Sequence, residues 1–267
     1  MGKAWGAAAT LLAGMAVWTG TAGAQEDRPR PGPRDPLEAR SILVVLAHPD
    51  DELVVAPALA AAVREGVRVR ILYATSGDAG PGVSEFEPGE ALGRVRRQEA
   101  RCAGDALGAE IRFLGGIADG TLTERPRAEG SPARRFMDLF TSAFLETVPD
   151  TVITWGPEGG YGHGDHRMVS ALVTEALQTL PAGDRPALLY PIIVNAPLPA
   201  PLIEQGWSPA ASDLASVRVA YDEADLAAAD AAARCHATQF DEATRAMIAP
   251  GFHAAVWKGE VSFRNAF

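Results

Sequence analysis

An apolar run that ends in a cluster of polar residues is the feature that most constrains this chain. Residues 42–46 are apolar and rich in β-branched side chains, which is typical of a buried parallel strand. Pro49 cannot donate to a strand ladder, so the strand must end near His48. Three acidic residues follow at 50–52, where negative charge suits the first turn of a helix. Because open α/β sheets bind ligands outside the carboxyl ends of their strands, we expect a functional site here.

A second polar cluster follows another strand-like run, at residues 151–154. It ends in His163, Asp165 and His166. The chain has only five His, and three of them fall in the two clusters. Two His and one carboxylate, with a position left for water, form a known catalytic zinc arrangement. A single His beside a helix start is more often a hydrogen-bonding residue than a ligand, but two clusters after two strands favour a metal site.

At these two clusters the sequence resembles the LmbE-like or PIG-L-type de-N-acetylases, zinc hydrolases that remove acetyl from N-acetylglucosamine-type amino sugars. The family motif A-H-P-D-D-E matches without change at residues 47–52. The second motif, usually G-Y-G-H-P-D-H, matches at residues 160–166, with Gly164 in place of the usual Pro. Weaker matches lie at residues 75–80, Arg96 and Glu99, Leu114 with residues 119–120, and residues 236–239. The resemblance therefore runs from about residue 42 to the C-terminal segment.

The resemblance implies a metal site and assigns roles to the residues around it. It implies three ligands for Zn²⁺, or for another first-row divalent metal, which are His48, Asp51 and His166. It implies four catalytic residues, which are Asp50, Tyr161, His163 and Asp165. It implies two residues that contact sugar hydroxyls, which are Arg96 and Asp119. Zinc at such a site lowers the pKa of water and polarises the amide carbonyl of the substrate.

The four catalytic residues have different implied roles. Asp50 is the expected general base, which takes a proton from the attacking water. His163 is the expected acid toward the leaving amine or the tetrahedral intermediate, and Asp165 is expected to orient it. Tyr161 is expected to donate to the developing oxyanion. We expect Glu52, next to these residues, to accept hydrogen bonds from backbone N–H groups at the helix start.

The residues themselves leave other interpretations open. The sequence is equally compatible with a helix salt bridge between Arg96 and Glu99 at i+3. Tyr161 also fits a loop aromatic that only shields the site. Gly164, in place of Pro, loosens the turn that leads to the last metal ligand and leaves the pose of the preceding His open. His236 matches a family motif, but we expect a structural His there.

Strand-like and helix-like segments alternate along the chain. This order predicts a Rossmann-like, doubly wound α/β fold, with a mainly parallel sheet, right-handed crossovers and helices on both faces. We expect one such domain, at residues 41–267, with an irregular, Pro-rich stretch at residues 197–213. No G-x-G-x-x-G motif follows the first strand, which argues against a bound dinucleotide.

The first 40 residues are expected to lie outside this domain. Residues 1–24 combine Lys3, an apolar run and an A-x-A site at residues 22–24, which is typical of a secretory signal. The apolar run is interrupted too early for a membrane anchor, which needs roughly 20 apolar residues. We therefore expect a secreted or periplasmic chain that starts at Gln25 and has no membrane span after cleavage. Residues 25–40 are rich in Pro and Arg and are expected to be a linker.

Charge and cysteine content limit the expected partners. The net charge of −10, without a basic stripe, argues against nucleic acid. The expected partner is a small molecule, and the resemblance makes it an acetamido sugar. Cys102 and Cys235 fit either a disulfide in an exported chain or two buried thiols, and the sequence does not decide between them. It also leaves the oligomeric state open.

The sequence supports one leading function and two alternatives. The leading function is an exported zinc-dependent hydrolase that removes an acetyl group from an N-acetylated amino sugar or a similar small amide. The first alternative is a metal-dependent amidase or esterase that acts on another small substrate. The second is a carbohydrate-binding protein that kept the fold and lost turnover. That second alternative expects a broken base or ligand set, whereas both sets are complete here.

Overall fold

The computed structural model describes residues 36–194 and 197–267. The predicted signal sequence at residues 1–24 and the predicted linker as far as residue 35 lie outside the described residues. Within the described ranges, no helix combines the length and the apolar character needed to cross a bilayer.

The last part of the predicted linker packs on the domain. Pro36–Glu38 form a short 3₁₀ turn, and Leu37 packs against the core. Ala39 is buried in that core. Residues just before the predicted boundary at 41 therefore contact the core.

One mixed sheet of seven strands forms the centre of the described chain. The strands are β1 (Ser41–Leu46), β2 (Arg68–Tyr73), β3 (Glu110–Phe113), β4 (Thr151–Thr154), β5 (Ala187–Ile192), β6 (Val217–Ala220) and β7 (Glu260–Asn265). Their spatial order is β3-β2-β1-β4-β5-β7-β6. The pairs from β3 through β5 are parallel, whereas β7 is antiparallel to both β5 and β6. The predicted mainly parallel α/β sheet is confirmed, with an antiparallel edge.

Seven α-helices accompany the strands of the described chain. They are α1 (Ala56–Arg64), α2 (Glu90–Leu107), α3 (Pro132–Thr147), α4 (Gly164–Gln178), α5 (Ala200–Glu204), α6 (Glu223–Cys235) and α7 (Glu242–Phe252). Asp222 is the N-cap of α6, since it accepts from backbone N–H groups and forms a capping box with Asp225. The sequence does not predict α7, because Pro250 lies inside it and Gly251 follows. Asp241 caps its start.

Alternate residues of β1 pack on opposite faces of the sheet, as the period of a strand requires. Ile42, Val44 and Leu46 belong to a core cluster with residues of α1, α2 and α6. Leu43 and Val45 belong to a second cluster with residues of α3 and α4. Both faces of the strand are therefore covered, which explains its uninterrupted apolar sequence.

A switch in the order of the strands positions the site. The chain runs outward from β1 to β2 and β3 on one side and from β4 to β5 on the other, so a topological switch lies between β1 and β4. Ligands bind at such switch points, and each of the two polar clusters follows one of the two strands that flank the switch.

A disulfide between Cys102 and Cys235 joins α2 to the end of α6. It decides between the disulfide and the two buried thiols that the sequence left open.

Candidate metal centre and active site

The polar cluster after β1 does not start an α-helix directly, in contrast to the prediction. Asp50 has a φ of 94°, in the left-handed region where a side chain is strained, and Asp51–Val54 form a 3₁₀ turn before α1. The backbone N–H of Asp50 donates to Glu52 Oε2 over 2.9 Å. Glu52 also accepts from the Tyr73 hydroxyl at 2.7 Å and lies 2.6 Å from His236 Nε2. This buried cluster holds the Asp50 backbone in its strained conformation.

The three predicted metal ligands come together at the ends of β1 and β4. His166 Nε2 lies 3.0 Å from Asp51 Oδ1 and 3.2 Å from His48 Nδ1. His48 Nδ1 lies 3.8 Å from Asp51 Oδ2. All three side chains are buried.

Hydrogen bonds to one oxygen of Asp51 leave its other oxygen facing His166. Asp51 Oδ2 accepts from the backbone N–H groups of Ala47 and His48, each at 3.0 Å. It also accepts from the indole N–H of Trp155 at 3.1 Å. With Oδ2 occupied by three donors, Oδ1 faces His166 with its lone pairs available.

The tautomers of the two imidazoles follow from their outer contacts. His166 Nδ1 lies 3.2 Å from the carbonyl oxygen of Gly159 and donates to it, so Nε2 presents a lone pair. His48 Nε2 lies 2.8 Å from Asp119 Oδ1, which places the proton on that nitrogen and leaves Nδ1 with a lone pair. Asp51 Oδ1 and His48 Nδ1 thus both lie close to the lone pair of His166 Nε2, an arrangement that favours a cation among these atoms.

The separation of these atoms fits a metal ion. Two ligand atoms of tetrahedral zinc, at bond lengths of about 2.0–2.2 Å, lie roughly 3.3 Å apart. The contacts of 3.0 and 3.2 Å around His166 Nε2 are close to that value. Two imidazoles and one carboxylate are a donor set that catalytic zinc uses. His48, Asp51 and His166 are therefore suited to hold a divalent cation.

Electrostatics agree with a cationic centre. Burial opposes a charged His48, yet the carboxylates of Asp119, Asp165 and Asp51 raise the pKa of His48 well above its usual value. Burial likewise opposes ionisation of Asp51, but His166 and His48 hold the pKa of Asp51 well below its usual value. The cluster thus favours the ionised carboxylate that a metal ligand must be.

Two other groups of three side chains in the described residues have ligand atoms close enough to hold a metal, and both include His48. They are His48 with His163 and His166, and His48 with Asp119 and Asp165. Several atoms that could bind a metal in these groups already accept hydrogen bonds from backbone N–H groups. The set with Asp51 keeps the three inward-facing atoms and is the best candidate.

The carboxylate of Asp50 lies beside the ligands and is held by Arg96. Arg96 Nη2 lies 3.2 Å from Asp50 Oδ2 and donates to the Pro49 carbonyl at 2.7 Å, while Nη1 donates to the Gly77 carbonyl at 2.8 Å. Burial raises the pKa of Asp50 to about 6, and the Arg96 guanidinium opposes this rise. Arg96 is buried and both of its Nη atoms contact protein groups other than Glu99, so the alternative bridge to Glu99 is not formed, and the sugar contact stays a prediction.

Asp119 contacts protein groups with both of its carboxylate oxygens. Its Oδ1 contacts His48 Nε2 at 2.8 Å, and its Oδ2 accepts from the backbone N–H of Ala79 at 3.2 Å. The predicted contact of Asp119 with sugar hydroxyls stays a prediction. The contact of Asp119 with the candidate ligand His48 resembles that of carboxylates that orient a ligating His.

Asp165 does not orient His163 with its carboxylate, in contrast to the prediction. That carboxylate accepts from the backbone N–H groups of Gly120 at 2.8 Å and Leu122 at 3.2 Å. It also lies 3.5 Å from His48 Nε2. Asp165 therefore fixes the loop after β3 against the metal site.

His163 is held by a backbone group. Its Nδ1 accepts from the backbone N–H of Asp165 at 3.2 Å, so His163 is the N-cap of α4. Burial and the nearby His48 lower the pKa of His163. Gly164 is the first residue of α4 and has no unusual φ, so the missing Pro leaves a regular, capped turn.

Two aromatic residues complete the site. Trp155 stacks on His166 with ring centroids 4.4 Å apart and donates to Asp51. Sequence reasoning gave Trp155 no role, although it stands directly after β4 within the second cluster. Tyr161 is 40% exposed, and its ring lies 5.2 Å from that of His166. Burial and the charge of Asp51 raise the pKa of Tyr161, so its hydroxyl keeps its proton.

The weaker motif matches have structural roles. His236 is buried against Glu52, as expected for a structural His. Glu99 accepts from the backbone N–H and the hydroxyl of Thr238, at 2.7 and 2.6 Å. Gln239 donates to a carbonyl of the loop after β2 at 3.0 Å. These contacts join α2, that loop and the end of α6 beneath the site.

Comparison with known proteins places this chain among deacetylases. The family model PIG-L, described as GlcNAc-PI de-N-acetylase, matches residues 43–177. A 1D-myo-inositol 2-acetamido-2-deoxy-alpha-D-glucopyranoside deacetylase of Corynebacterium diphtheriae is 30% identical over 243 residues, which cover 80% of this chain and 81% of that protein.

Solved structures show the same fold. The N,N'-diacetylchitobiose deacetylase from Pyrococcus horikoshii superposes with a TM-score of 0.60 at 21% identity, over 85% of this chain and 84% of that one. A 4-carboxy-2-hydroxymuconate hydratase from Pseudomonas putida superposes with a TM-score of 0.59 at 17% identity, over 85% and 96%. The fold alone thus does not specify the reaction. The family match and the similarity to the Corynebacterium protein do: this chain belongs to the PIG-L family of deacetylases.

Proposed function

We propose that this protein is an exported, zinc-dependent hydrolase that removes the acetyl group from an acetamido sugar. The observation that carries the proposal is the meeting of three inward-facing ligand atoms, on His48, Asp51 and His166, beside the carboxylate of Asp50. The Corynebacterium relative is named for a 2-acetamido-2-deoxy-glucopyranoside, which supports an amide of this kind as the substrate.

Proton transfer in this proposal begins at Asp50. Zinc, when bound, supplies a Lewis acid that polarises the amide carbonyl and lowers the pKa of water. Asp50 takes the proton of the attacking water, because its carboxylate is next to the ligands but is not one of them. Arg96 keeps that carboxylate in place through its contact at 3.2 Å.

His163 and Tyr161 act on the leaving amine and on the oxyanion. His163 Nδ1 accepts from a backbone N–H, so the neutral ring carries its proton on Nε2 and donates a hydrogen bond to the leaving nitrogen. As the C–N bond breaks, the amine gains the proton that Asp50 took from water, and acetate leaves. The Tyr161 hydroxyl donates to the developing oxyanion. Asp119 and Asp165 act indirectly, by keeping His48 in the tautomer that a ligand needs.

Acetate release tests the proposal. Protein loaded with Zn²⁺ is assayed on methyl 2-acetamido-2-deoxy-glucopyranoside, on a simple acetamide and on an acetyl ester of the same sugar. We expect acetate from the acetamido sugar, loss of this activity with a chelator, and its return with Zn²⁺. Turnover of the ester or the simple amide alone identifies an esterase or amidase. Sugar binding without acetate release identifies a binding protein and refutes the proposal.

Export is the second part of the proposal. The apolar run and the A-x-A site at residues 22–24 support it, and the disulfide between Cys102 and Cys235 suits an oxidising compartment. N-terminal sequencing of protein from the secreted or periplasmic fraction should start at Gln25. Protein that retains Met1 in the cytoplasm contradicts this part without affecting the chemistry.

A further inference from the structure

A cavity of about 480 Å³ opens directly from the candidate active site. Asp50, Asp51, Trp155 and Tyr161 line its end at the metal ligands. Most of the remaining wall is apolar and includes Leu53, Leu202, Trp207, Phe240, Ile248 and Phe252. This volume is within the range of small-molecule sites, roughly 300–1,000 Å³.

Charge is confined to one end of this cavity. Among its lining residues, Asp50 and Asp51 carry charge, and the two polar side chains on the other walls, Gln205 and Thr244, are neutral. Thr244, Ile248 and residue 252 are spaced by four along α7, so one face of this helix forms the wall. A ligand that fills the cavity therefore needs a polar end beside the carboxylates and an apolar part against α5 and α7.

Aromatic rings join the apolar wall to the metal ligands. The ring of Trp207, just after α5, lies 5.4 Å from that of Tyr161 and 6.1 Å from that of Trp155. Trp155 in turn stacks on His166. The cavity is thus continuous with the site, and a single substrate molecule can occupy both.

The size of the acetyl group decides which part of the substrate lies in the cavity. An acetyl group has one methyl carbon beyond its carbonyl and cannot fill this space. The amine half of the substrate must therefore extend into it. We propose that the substrate is an acetamido sugar with an apolar aglycone, and that this aglycone packs between α5 and α7. The inference rests on the proposed deacetylation.

Substrate pairs that differ only in the aglycone test this inference. Hexyl and methyl 2-acetamido-2-deoxy-glucopyranosides of the same anomer are compared for acetate release, with the hexyl compound below its micelle concentration. Each buried methylene is worth about fourfold, so we expect kcat/KM to be roughly 10- to 1,000-fold higher for the hexyl glycoside. The gain should lie mainly in KM, because the chain binds ground and transition states alike.

Two variants locate the effect. Ile248→Ala should lower kcat/KM for the hexyl glycoside by about 5- to 20-fold and leave the methyl glycoside within about twofold. Thr244→Phe narrows the cavity from an exposed position outside the core, and it should have the same selective effect. Leu145→Ala, which truncates a 66% exposed residue of α3, is the matched control and should change neither substrate. Activity on the methyl glycoside reports whether each variant is folded.

Three outcomes overturn the inference in distinguishable ways. Equal kcat/KM for both glycosides excludes an aglycone site but leaves the deacetylase intact. A preference for N-hexanoyl over N-acetyl on the methyl glycoside assigns the cavity to the acyl chain. Acetate release from neither glycoside refutes the proposed function.

Binding then tests the cavity independently of turnover. Calorimetry with hexyl and methyl 2-amino-2-deoxy-glucopyranosides measures affinity for the deacetylated products. The hexyl compound should bind at least about tenfold more tightly and with a more negative heat capacity change. Equal affinities contradict an apolar aglycone site, whatever the enzyme assays show.

Discussion

Two regions of the chain line the candidate active site and its cavity with different kinds of side chain. The first region ends at residue 177, and the second region follows it. The nine site residues predicted from the sequence all lie in the first region, within the stretch 43–177 that the family model matches. The second region supplies most of the apolar wall, including Trp207, Phe240 and Ile248. We infer from this difference that the first region carries the reaction and that the second contributes to the choice of substrate.

Specific contacts tie the two regions together. Glu52, under the base, is bound by His236 from the end of α6. The disulfide joins Cys102 of α2 to Cys235, the residue just before that His. The second region therefore also supports the geometry of the first. Substitutions at these contacts should affect the position of Asp50 or the stability of the fold, whereas substitutions at the ligands should affect metal binding.

The largest expected effect is on a ligand of the first region. His166→Ala should lose metal and activity by more than the roughly 10- to 100-fold typical of residues that only orient a ligand. Elemental analysis after dialysis measures the metal, and far-UV circular dichroism checks the fold. His253→Ala is the control, since this His contacts Tyr221 in the second region and should keep full metal content. Wild-type stoichiometry in His166→Ala removes this residue from the ligand set.

The next effect is on the contact between the regions. Glu52→Gln weakens the bond to His236 and the support of the Asp50 backbone, so kcat should fall roughly 10- to 100-fold, as expected for a small misplacement of a catalytic group. Metal content should stay near wild type. Glu175→Gln on the exposed face of α4 is the matched control. Wild-type kcat in folded Glu52→Gln shows that this contact does not position Asp50.

Removal of the disulfide should affect stability more than activity. The double variant Cys102→Ser, Cys235→Ser should lose about 2–4 kcal/mol of unfolding free energy. For a domain of this size that corresponds to a fall in Tm of roughly 5–15 °C. Because the contact between Glu52 and His236 remains, kcat at 25 °C should change by less than the Glu52→Gln value. An unchanged Tm contradicts a role for this bond in joining the regions.

The smallest expected effect is at Gly164. Its N–H is at the first position of α4, and His163 before it has φ −61° and ψ 135°, which suit a residue before Pro. Gly164→Pro should therefore stabilise the protein by about 0.4–1 kcal/mol, with kcat unchanged. The Cγ2 atom of Thr123 lies 3.3 Å from the added Cβ and has to shift slightly. A lower Tm in thermal unfolding would show that Thr123 cannot shift far enough to accommodate the added proline.

The sequence predicts the parts of this structure that depend on strand ends. Parallel strands end at the same edge of a sheet, so the residues after β1 and β4 had to meet, and His48, Asp51 and His166 do. The mainly parallel sheet follows equally from the alternation of elements. These conclusions need only local pattern and topology.

The partners of long or loop-borne side chains are not predictable in that way. Arg96, Asp119 and Asp165 lie at the site, as their motif positions imply, but each contacts protein groups that other loops bring near. Those loop paths leave no periodic pattern in the sequence. Trp155 was missed for the same reason, and α7 because its Pro argues against a helix.

The central claim is that two adjacent carboxylates have different roles: Asp51 binds the metal, and Asp50 is the general base. Asp50→Asn and Asp51→Asn are compared on the same samples for metal content and acetate release. Asn tolerates the left-handed backbone at position 50, so Asp50→Asn should keep the fold and the metal while kcat falls by about 10²–10⁴-fold and KM moves less. Asp51→Asn should lose metal, because an amide is a poorer ligand. Near-wild-type kcat in metal-replete Asp50→Asn would contradict the account.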